Sequence, residues 1–378
     1  MLVRFSNLIN EEGVWFVSGV GSYLIRLNLE KNETLCEAVL PERNISTSTS
    51  SLQKIEEYII TAPANGNHFY AFHIPTSELA CIYEERECSG LKKYFSSFKV
   101  NERAYFVGAK ARKIISVKVE DGKPVCREIK MNVEHLLDKD IDMALQAAVI
   151  GSKAYISING TNSIFILDTL TDNCELVGIS ERKTFNLAVS DGVEVYLISE
   201  QSNAVYKLDT KTNRTALLCQ LPDNEILEKK RRFAGAICCC GSMWIYPFYA
   251  GMLIKLNLKN GEMECIRQYE NADVIKYLNA GAFDNNHVWG YNSIDNTVDI
   301  IYCVDGSVQS IKPKIPSNYL SYIDSIDEEG NSRVFEENEI GLERFLYYLN
   351  VEDWAKGRNC NHKTNVGKVI WKRLKEDI

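Results

Sequence analysis

The sequence predicts an all-β fold, a seven-bladed β-propeller of four-stranded blades with a short C-terminal helical extension. An aromatic residue opens a strand-like segment seven times at intervals of 41 to 50 residues, the period of a propeller blade. A polar turn and an alternating apolar segment follow each one. A cysteine recurs near the end of six units. The aromatic markers are Trp15, Tyr58, Tyr105, Tyr155, Tyr196, Trp244 and Trp289.

Each unit reads as four strands in order. A short apolar segment, such as Leu187-Ala188-Val189, precedes the aromatic strand. The third strand has the period-two alternation of a half-buried strand, as in LIRLN, FYAFH, IISVK, IFILD, VYKLD, LIKLN and DIIYC. A turn rich in Asn, Asp or Gly leads to the fourth strand. We interpret the cysteines of that strand as packing residues; they are Cys36, Cys81, Cys126, Cys174, Cys219 and Cys265.

A four-stranded blade cannot bury both faces alone, so seven units are expected to stack into a closed ring. The propeller is predicted over residues 1–316. The first blade has its own first strand, from Arg4 to Ile9, and the seventh its own last, from Val308 to Lys312. We therefore expect no blade that is shared between the two ends of the chain.

The extension, residues 317–378, differs in composition. Pro313 and Pro316 mark the end of the propeller. Segments 339–349 and 367–375 have the apolar spacing of two short helices, and the second is basic. These helices are expected either to pack against the propeller or to dock on an acidic partner or an anionic membrane surface.

Charge and composition limit the function classes. The chain has 378 residues and a formal net charge of -8, which disfavours a general nucleic-acid binder. The last 23 residues carry a balance of +5. No run of 18 apolar residues and no signal peptide is apparent, so we expect no integral membrane contact and a cytoplasmic location with reduced thiols.

Two segments carry a resemblance to known propellers. IFILDTLTDNCEL (164–176) and VYKLDTKTNRTAL (205–217) resemble the third strand and turn of bacterial seven-bladed propellers of the Tyr-Val-Thr-Asn, Kelch and quinoprotein-like types. The double glycine of Kelch repeats and the Trp-Asp pair of another propeller class are absent. The resemblance implies the fold only, because such propellers include lyases, lactonases, dehydrogenases and binding modules.

The loops that lead into the blades contain a pattern of cations and aromatics. A basic residue lies 11 to 13 positions before the aromatic marker in five blades, and an aromatic or Thr follows it. These residues predict a basic, aromatic-lined channel mouth that suits an anionic small molecule or an acidic protein segment. Solvated loop charges are the alternative. The predicted ligand-binding residues are Lys93, Tyr94, Arg112, Lys113, Arg182, Lys183, Arg231, Arg232, Phe233, Lys276 and Tyr277.

Enzyme signatures are sparse. No His-Glu-x-x-His, Cys-x-x-Cys or Gly-x-Ser-x-Gly motif is present. We expect no cofactor and no metal, and we interpret Cys238-Cys239-Cys240 as buried packing residues. His135, in the helical-looking loop from Val133 to Leu145, is the one candidate catalytic residue. The sequence thus favours a ligand-binding or protein-interaction module, with a propeller-type lyase or hydrolase acting on a sugar- or phosphate-bearing substrate as the alternative.

Overall fold

The chain forms seven four-stranded antiparallel sheets, each built from consecutive strands. This computed structural model describes residues 7–10, 13–17, 23–28, 31–42, 49–88, 93–109, 111–131, 143–158, 161–179, 184–222, 231–270, 274–282, 284–295 and 297–312. The predicted extension, 317–378, lies outside the described residues. The described part contains no helix long and apolar enough to cross a membrane.

The strands of the first four blades are numbered in chain order. Blade one contains β1 (Asn7–Asn10), β2 (Gly13–Val17), β3 (Tyr23–Asn28) and β4 (Glu33–Val39). Blade two contains β5 (Thr49–Ile55), β6 (Tyr58–Pro63), β7 (His68–His73) and β8 (Glu78–Glu84). Blade three contains β9 (Tyr94–Val100), β10 (Arg103–Gly108), β11 (Lys113–Glu120) and β12 (Lys123–Lys130). Blade four contains β13 (Met143–Ile150), β14 (Lys153–Ile158), β15 (Ser163–Asp168) and β16 (Asn173–Gly178).

The remaining three blades follow the same plan. Blade five contains β17 (Leu187–Ser190), β18 (Val195–Ser199), β19 (Ala204–Asp209) and β20 (Arg214–Gln220). Blade six contains β21 (Phe233–Cys239), β22 (Ser242–Pro247), β23 (Met252–Asn257) and β24 (Met263–Gln268). Blade seven contains β25 (Tyr277–Ala282), β26 (His287–Asn292), β27 (Thr297–Tyr302) and β28 (Val308–Ile311).

The ring closes between blade seven and blade one. The first strands of neighbouring blades contact one another around the ring, and β25 contacts β1. Blade one and blade seven each consist of four consecutive strands. The predicted seven-bladed fold without a shared blade is therefore confirmed. Among the described strands, none from one end of the chain completes a sheet at the other, so closure rests on packing between blades.

One secondary-structure expectation is wrong in part. Residues 143–145 belong to strand β13, which pairs with β14, and not to a helix. The apolar run MALQAAVI is compatible with either structure by periodicity alone. Pairing with the next strand decided between them. The rest of that loop, including His135, lies outside the described residues.

The core lies between the blades. Six of the seven aromatic markers are buried, whereas Tyr58 is half-buried and donates a 2.8 Å hydrogen bond to the carbonyl of Gly122. Between blades two and three, the ring of Phe69 meets those of Tyr94 and Phe106 edge-on at 4.9 and 5.5 Å between centroids. Such edge-to-face pairs add to the burial of apolar surface.

The recurrent cysteines lie on the fourth strands, as predicted. They are found in β4, β8, β12, β16, β20 and β24. Burial raises the pKa of Cys126 and of Cys174 to about 12, and that of Cys219 to about 11. These three thiols are therefore protonated near neutral pH, which fits packing residues better than reactive ones.

Candidate functional site

The strand order gives the propeller two different faces. The upper face is the side that carries the turns between the second and third strands and the segments that lead into each blade. The lower face is the side that carries the turns between the first and second strands and between the third and fourth strands. All the described candidate residues from the sequence belong to upper-face segments or to the strand ends beside them.

Lys93 and Lys276 are buried between blades. Lys93 is 2% exposed, and its Nζ donates to Asn67 in the upper turn of blade two. Lys276 is 0% exposed, and its Nζ donates to the carbonyl of Tyr249 in blade six at 3.1 Å. Each lysine thus reaches back to the preceding blade. Both lysines therefore connect neighbouring blades, and neither ammonium group is accessible to solvent. We call a buried lysine that binds the preceding blade a latch.

Backbone bonds reinforce both latches. The Lys93 N–H donates to Ala64 of blade two at 2.8 Å, and its carbonyl accepts from Ala109 of blade three at 2.7 Å. The Lys276 N–H donates to Phe248 at 2.9 Å, and its carbonyl accepts from Ser293 at 2.8 Å. The backbone at this position is therefore held by segments of two blades.

Tyr94 and Lys113 meet at a buried carboxylate. The Tyr94 hydroxyl donates to Glu85 at 2.6 Å, and Lys113 Nζ lies 3.2 Å from the same Glu85 oxygen. Burial alone would raise the pKa of Glu85. Hydrogen bonds from Tyr94 and from two backbone N–H groups, together with the positive charge of Lys113, outweigh burial, so the pKa is lowered. Lys113 also contacts Glu87 at 3.0 Å. Its charge is therefore neutralised within the protein.

Tyr277 is part of a second buried carboxylate cluster, in blade seven. Its hydroxyl donates to Asp299 at 2.7 Å, and Arg267 of blade six lies 3.3 Å from the same carboxylate oxygen. Asn292 donates to that oxygen at 3.2 Å, and the hydroxyls of Thr297 and Ser310 each lie 2.7 Å from the other one. Asp299 is fully buried, so this network stabilises a charge that is otherwise costly to bury.

Arg231 and Arg232 remain half-buried at the upper face of blade six. The Arg231 guanidinium lies 4.7 Å from the ring centroid of Phe248 and donates to the carbonyls of Phe233 and Ala234 at 2.8 and 2.6 Å. Phe248 meets Tyr249 edge-on at 5.0 Å. Both of these rings are half-buried. The structure thus places two predicted residues, Arg231 and Arg232, beside two aromatic residues that were not predicted, Phe248 and Tyr249.

Glu200 positions this segment from blade five. Its Oε1 accepts from the N–H groups of Arg232 and Phe233 at 3.0 and 3.1 Å. Burial raises the pKa of Glu200, although these two bonds and the nearby arginines oppose the shift. Sequence reasoning missed Glu200, Phe248 and Tyr249. The segment FYAG directly after β22 could have indicated Phe248 and Tyr249, because it places two aromatic residues in a turn of the upper face.

Other candidates are not part of this group. Arg112 is exposed in the turn before β11 with φ 52°, and Phe233 is buried in the core of blade six. Arg182, Lys183 and His135 lie outside the described residues. The described histidines each lie against a carboxylate: His68 with Glu42 at 2.9 Å, His73 with Glu57 at 3.3 Å and His287 with Asp284 at 2.7 Å.

A side chain also bridges inner strands that are not neighbours. Gln146 in β13 of blade four donates to the carbonyl of Ala236 in β21 of blade six at 2.6 Å, and its Oε1 accepts from the Ala236 N–H at 3.1 Å. A Cβ at Gly235 would lie 3.6 Å from the Gln146 Oε1 and 3.7 Å from the Ala280 Cβ of blade seven. Gln146 therefore joins the inner strands of blades four and six directly, past blade five.

Comparison with known proteins gives the architecture. The structure is similar to virginiamycin B lyase from Staphylococcus aureus, in a catalytically inactive variant solved with quinupristin, with a TM-score of 0.59 at 12% identity over 78% of this chain and 92% of that one. The likeness is one of fold. It is shared by the protein U3-55K (TM-score 0.55, 8% identity, 77% and 89% of the chains) and by the computationally designed protein Ika8 (0.53, 10%, 83% and 90%).

Sequence comparison adds no family. No protein-family model matches the chain, and no curated protein matches it at a significant level. A natural lyase and a designed protein are both similar in fold to this chain, at 12% and 10% identity. The propeller fold by itself therefore does not determine an activity. Functional inference therefore has to start from the side chains.

Proposed function

We propose that the protein is a binding module that holds an anionic ligand on the upper face of blade six. The ligand class is a carboxylate- or phosphate-bearing small molecule or an acidic segment of a protein. The observation that carries the proposal is the Arg231 guanidinium, fixed 4.7 Å from the Phe248 ring and followed directly by Arg232. Lys276 supports this surface through its bond to the Tyr249 carbonyl, and the proposal does not require the ligand to contact Lys276 or Lys93.

Preorganisation favours this group as a binding surface. Hydrogen bonds to two carbonyls and the Phe248 ring hold Arg231, so little side-chain entropy is left to lose on binding. A guanidinium binds carboxylate and phosphate groups through paired N–H donors. The half-buried Phe248 and Tyr249 rings offer an apolar or stacking surface beside the charges. This combination suits a ligand with an anionic group next to an apolar or ring-shaped part.

Binding of four probes to the full-length chain tests the proposal: inorganic phosphate, citrate, a sugar nucleotide and a short poly-glutamate peptide. We expect at least one to raise Tm and to bind in calorimetry, and the double substitution Arg231→Gln with Arg232→Gln to weaken that binding at least tenfold. Arg214→Gln is the matched control, because Arg214 is exposed at the lower end of β20. Equal binding by the double variant and the intact protein would overturn the proposal.

The probes separate the ligand sources. A response to poly-glutamate alone would indicate an acidic protein segment, and a response to phosphate or the sugar nucleotide a small molecule. The alternative function, a propeller-type lyase or hydrolase, predicts that the bound sugar nucleotide is converted, which mass spectrometry of the same mixture detects. The cytoplasmic location remains a prediction.

A further inference from the structure

Three cysteine thiols from two blades converge on the lower face. Cys239 ends strand β21, Cys240 follows it in the turn, and Cys303 follows β27 of blade seven. Their Sγ atoms all lie within 4.8 Å of one another, and those of Cys239 and Cys240 are 4.0 Å apart. Cys239 and Cys303 are buried, whereas Cys240 is exposed. The cluster is therefore a pair of buried thiols with a third thiol at the solvent boundary.

The spacing is close to that of thiolates around one metal ion. With metal–sulfur bonds of about 2.3 Å, sulfurs in tetrahedral or trigonal geometry are about 3.8 to 4.0 Å apart. The Cys239–Cys240 separation already has this value. The largest separation in the cluster needs to shrink by less than about 1 Å, within the reach of χ1 adjustments in two turns.

Cys240 occupies a turn position with a left-handed backbone. Its φ is 50°, which a residue with a Cβ adopts at a cost of about 1 to 2 kcal/mol. The equivalent turn residue is Glu56 in blade two, Asn101 in blade three and Gly151 in blade four, so the turn between the first two strands itself requires this conformation. The evidence for a site is therefore the position of the three sulfurs.

We propose that Cys239, Cys240 and Cys303 form a binding site for a thiophilic d10 metal ion of the Zn²⁺ class. Three sulfur–metal bonds form as three S–H bonds break, and the three protons leave to solvent. Thiolates are the ligands that such soft or borderline ions prefer. Three protein ligands leave a fourth position, on the exposed side of Cys240, for water or an external ligand.

A backbone carbonyl lies beside two of the three thiols. The carbonyl of Asn285 lies 3.2 Å from Cys239 Sγ and 3.1 Å from Cys240 Sγ, so it accepts from the thiols of the metal-free protein. The turn that supplies Asn285 also contains Asp284, whose carboxylate is bound to His287.

Cobalt titration of the reduced, chelator-treated full-length chain tests the proposal. We expect one Co²⁺ per chain, with thiolate-to-cobalt charge-transfer absorption and the intense d–d bands of a four-coordinate site, and displacement by Zn²⁺. Cys240→Asn and Cys303→Ser should each weaken binding by more than about 100-fold. Changing a residue that only contacts a metal ligand weakens binding by about 10- to 100-fold, so a larger loss indicates a direct ligand. Cys265→Ser, which removes an exposed thiol of β24, should leave it unchanged.

Cys240→Asn separates metal binding from folding. Asn is favoured at positive φ, so the metal-free variant should be at least as stable as the intact protein, while the Zn²⁺-induced rise in Tm disappears. An intact protein without the cobalt charge-transfer band would overturn the proposal. The same conclusion would follow if Cys240→Asn and Cys303→Ser bound Co²⁺ as tightly as the intact chain.

Discussion

Tyr94 and Tyr277, each at the start of its blade, donate a hydrogen bond to a buried carboxylate. Tyr94 of blade three donates to Glu85, which follows the last strand of blade two, at 2.6 Å, and Tyr277 donates to Asp299 of its own blade at 2.7 Å. Each follows a buried lysine that reaches back to the preceding blade, Lys93 or Lys276. A Lys-Tyr pair at the start of a blade's first strand therefore indicates two contacts. The lysine binds the preceding blade, and the tyrosine donates to a buried carboxylate.

Glu85→Gln should destabilise the protein by about 1.5 to 3 kcal/mol. The substitution removes the charge that faces buried Lys113 and weakens the bond from Tyr94. Urea unfolding followed by circular dichroism measures the change. Glu194→Gln is the control, since it removes a surface pair with Lys207 worth at most about 1 kcal/mol. Equal effects of the two substitutions would contradict the buried-carboxylate interpretation.

The same carboxylate should contribute to acid unfolding. The pKa of Glu85 is lowered in the folded state, so the unfolded chain takes up the proton first. The stability from Glu85 is therefore complete above the ordinary carboxyl pKa of about 4.3 and is lost as pH falls below it. Glu85→Gln should flatten the decline in the free energy of unfolding between about pH 5 and 3.

Glu200 should show the opposite slope. Burial raises its pKa in the folded state, so the folded chain holds the proton to higher pH than the unfolded chain does. Its contribution to stability falls as pH rises through about 4.3 and up to the raised value. Relative to the intact protein, Glu200→Gln should become more stable as pH increases over this range. Parallel curves for the two proteins between pH 4 and 7 would count against the assignment.

Substitution of Lys276 should have a different effect on ligand binding from substitution of Arg231 and Arg232, the arginines proposed to bind the ligand. Lys276→Met removes the bond to the Tyr249 carbonyl and should lower the free energy of unfolding by about 1 to 3 kcal/mol. It should leave the affinity for the anionic probe within about twofold. The Arg231 and Arg232 double substitution should weaken probe binding at least tenfold, and it should also lower stability because the Phe233 and Ala234 carbonyls lose the bonds from Arg231. Loss of probe binding in a folded Lys276→Met protein would instead assign Lys276 to the ligand.

Gln146→Ala should destabilise the centre of the ring by about 1 to 3 kcal/mol. The substitution leaves both the N–H and the carbonyl of Ala236 without the bonds that Gln146 makes. Gln268→Ala, on the exposed strand β24, should change stability by less than about 0.5 kcal/mol. Urea unfolding compares the two variants. A Gln146→Ala protein as stable as the control would show that water replaces the side chain.

Gly290→Ala should destabilise blade seven by about 1 to 3 kcal/mol through overpacking. A Cβ at this position would lie 2.6 Å from Cε1 of Tyr246 and 2.8 Å from Cδ1 of Tyr277. Those two rings meet edge-on at 5.1 Å between centroids, and both are fully buried. Gly178→Ala is the control, because a Cβ there meets nothing within 4 Å. Thermal unfolding should separate the two substitutions clearly.

The candidate site was only partly within reach of the sequence. Three of the five basic residues predicted by spacing, Lys93, Arg232 and Lys276, are described, and each directly precedes the first strand of its blade. Spacing alone does not distinguish a buried lysine from an accessible cation. Lys276 is fully buried and Arg232 half-buried at corresponding positions, because the neighbouring turns differ. Likewise, Cys303 is more than 60 residues from Cys240 in the chain, and no local pattern joins them.

The sequence by itself determined the number of blades, the four strands in each and the position of the recurrent cysteines. Those features follow from period-two alternation and turn residues, which act over a few neighbouring residues. The tertiary structure decided which charges are buried, how Gln146 bridges blade four to blade six, and which thiols meet. Contacts of that kind join residues from different blades, and only the closed ring sets the distances between them.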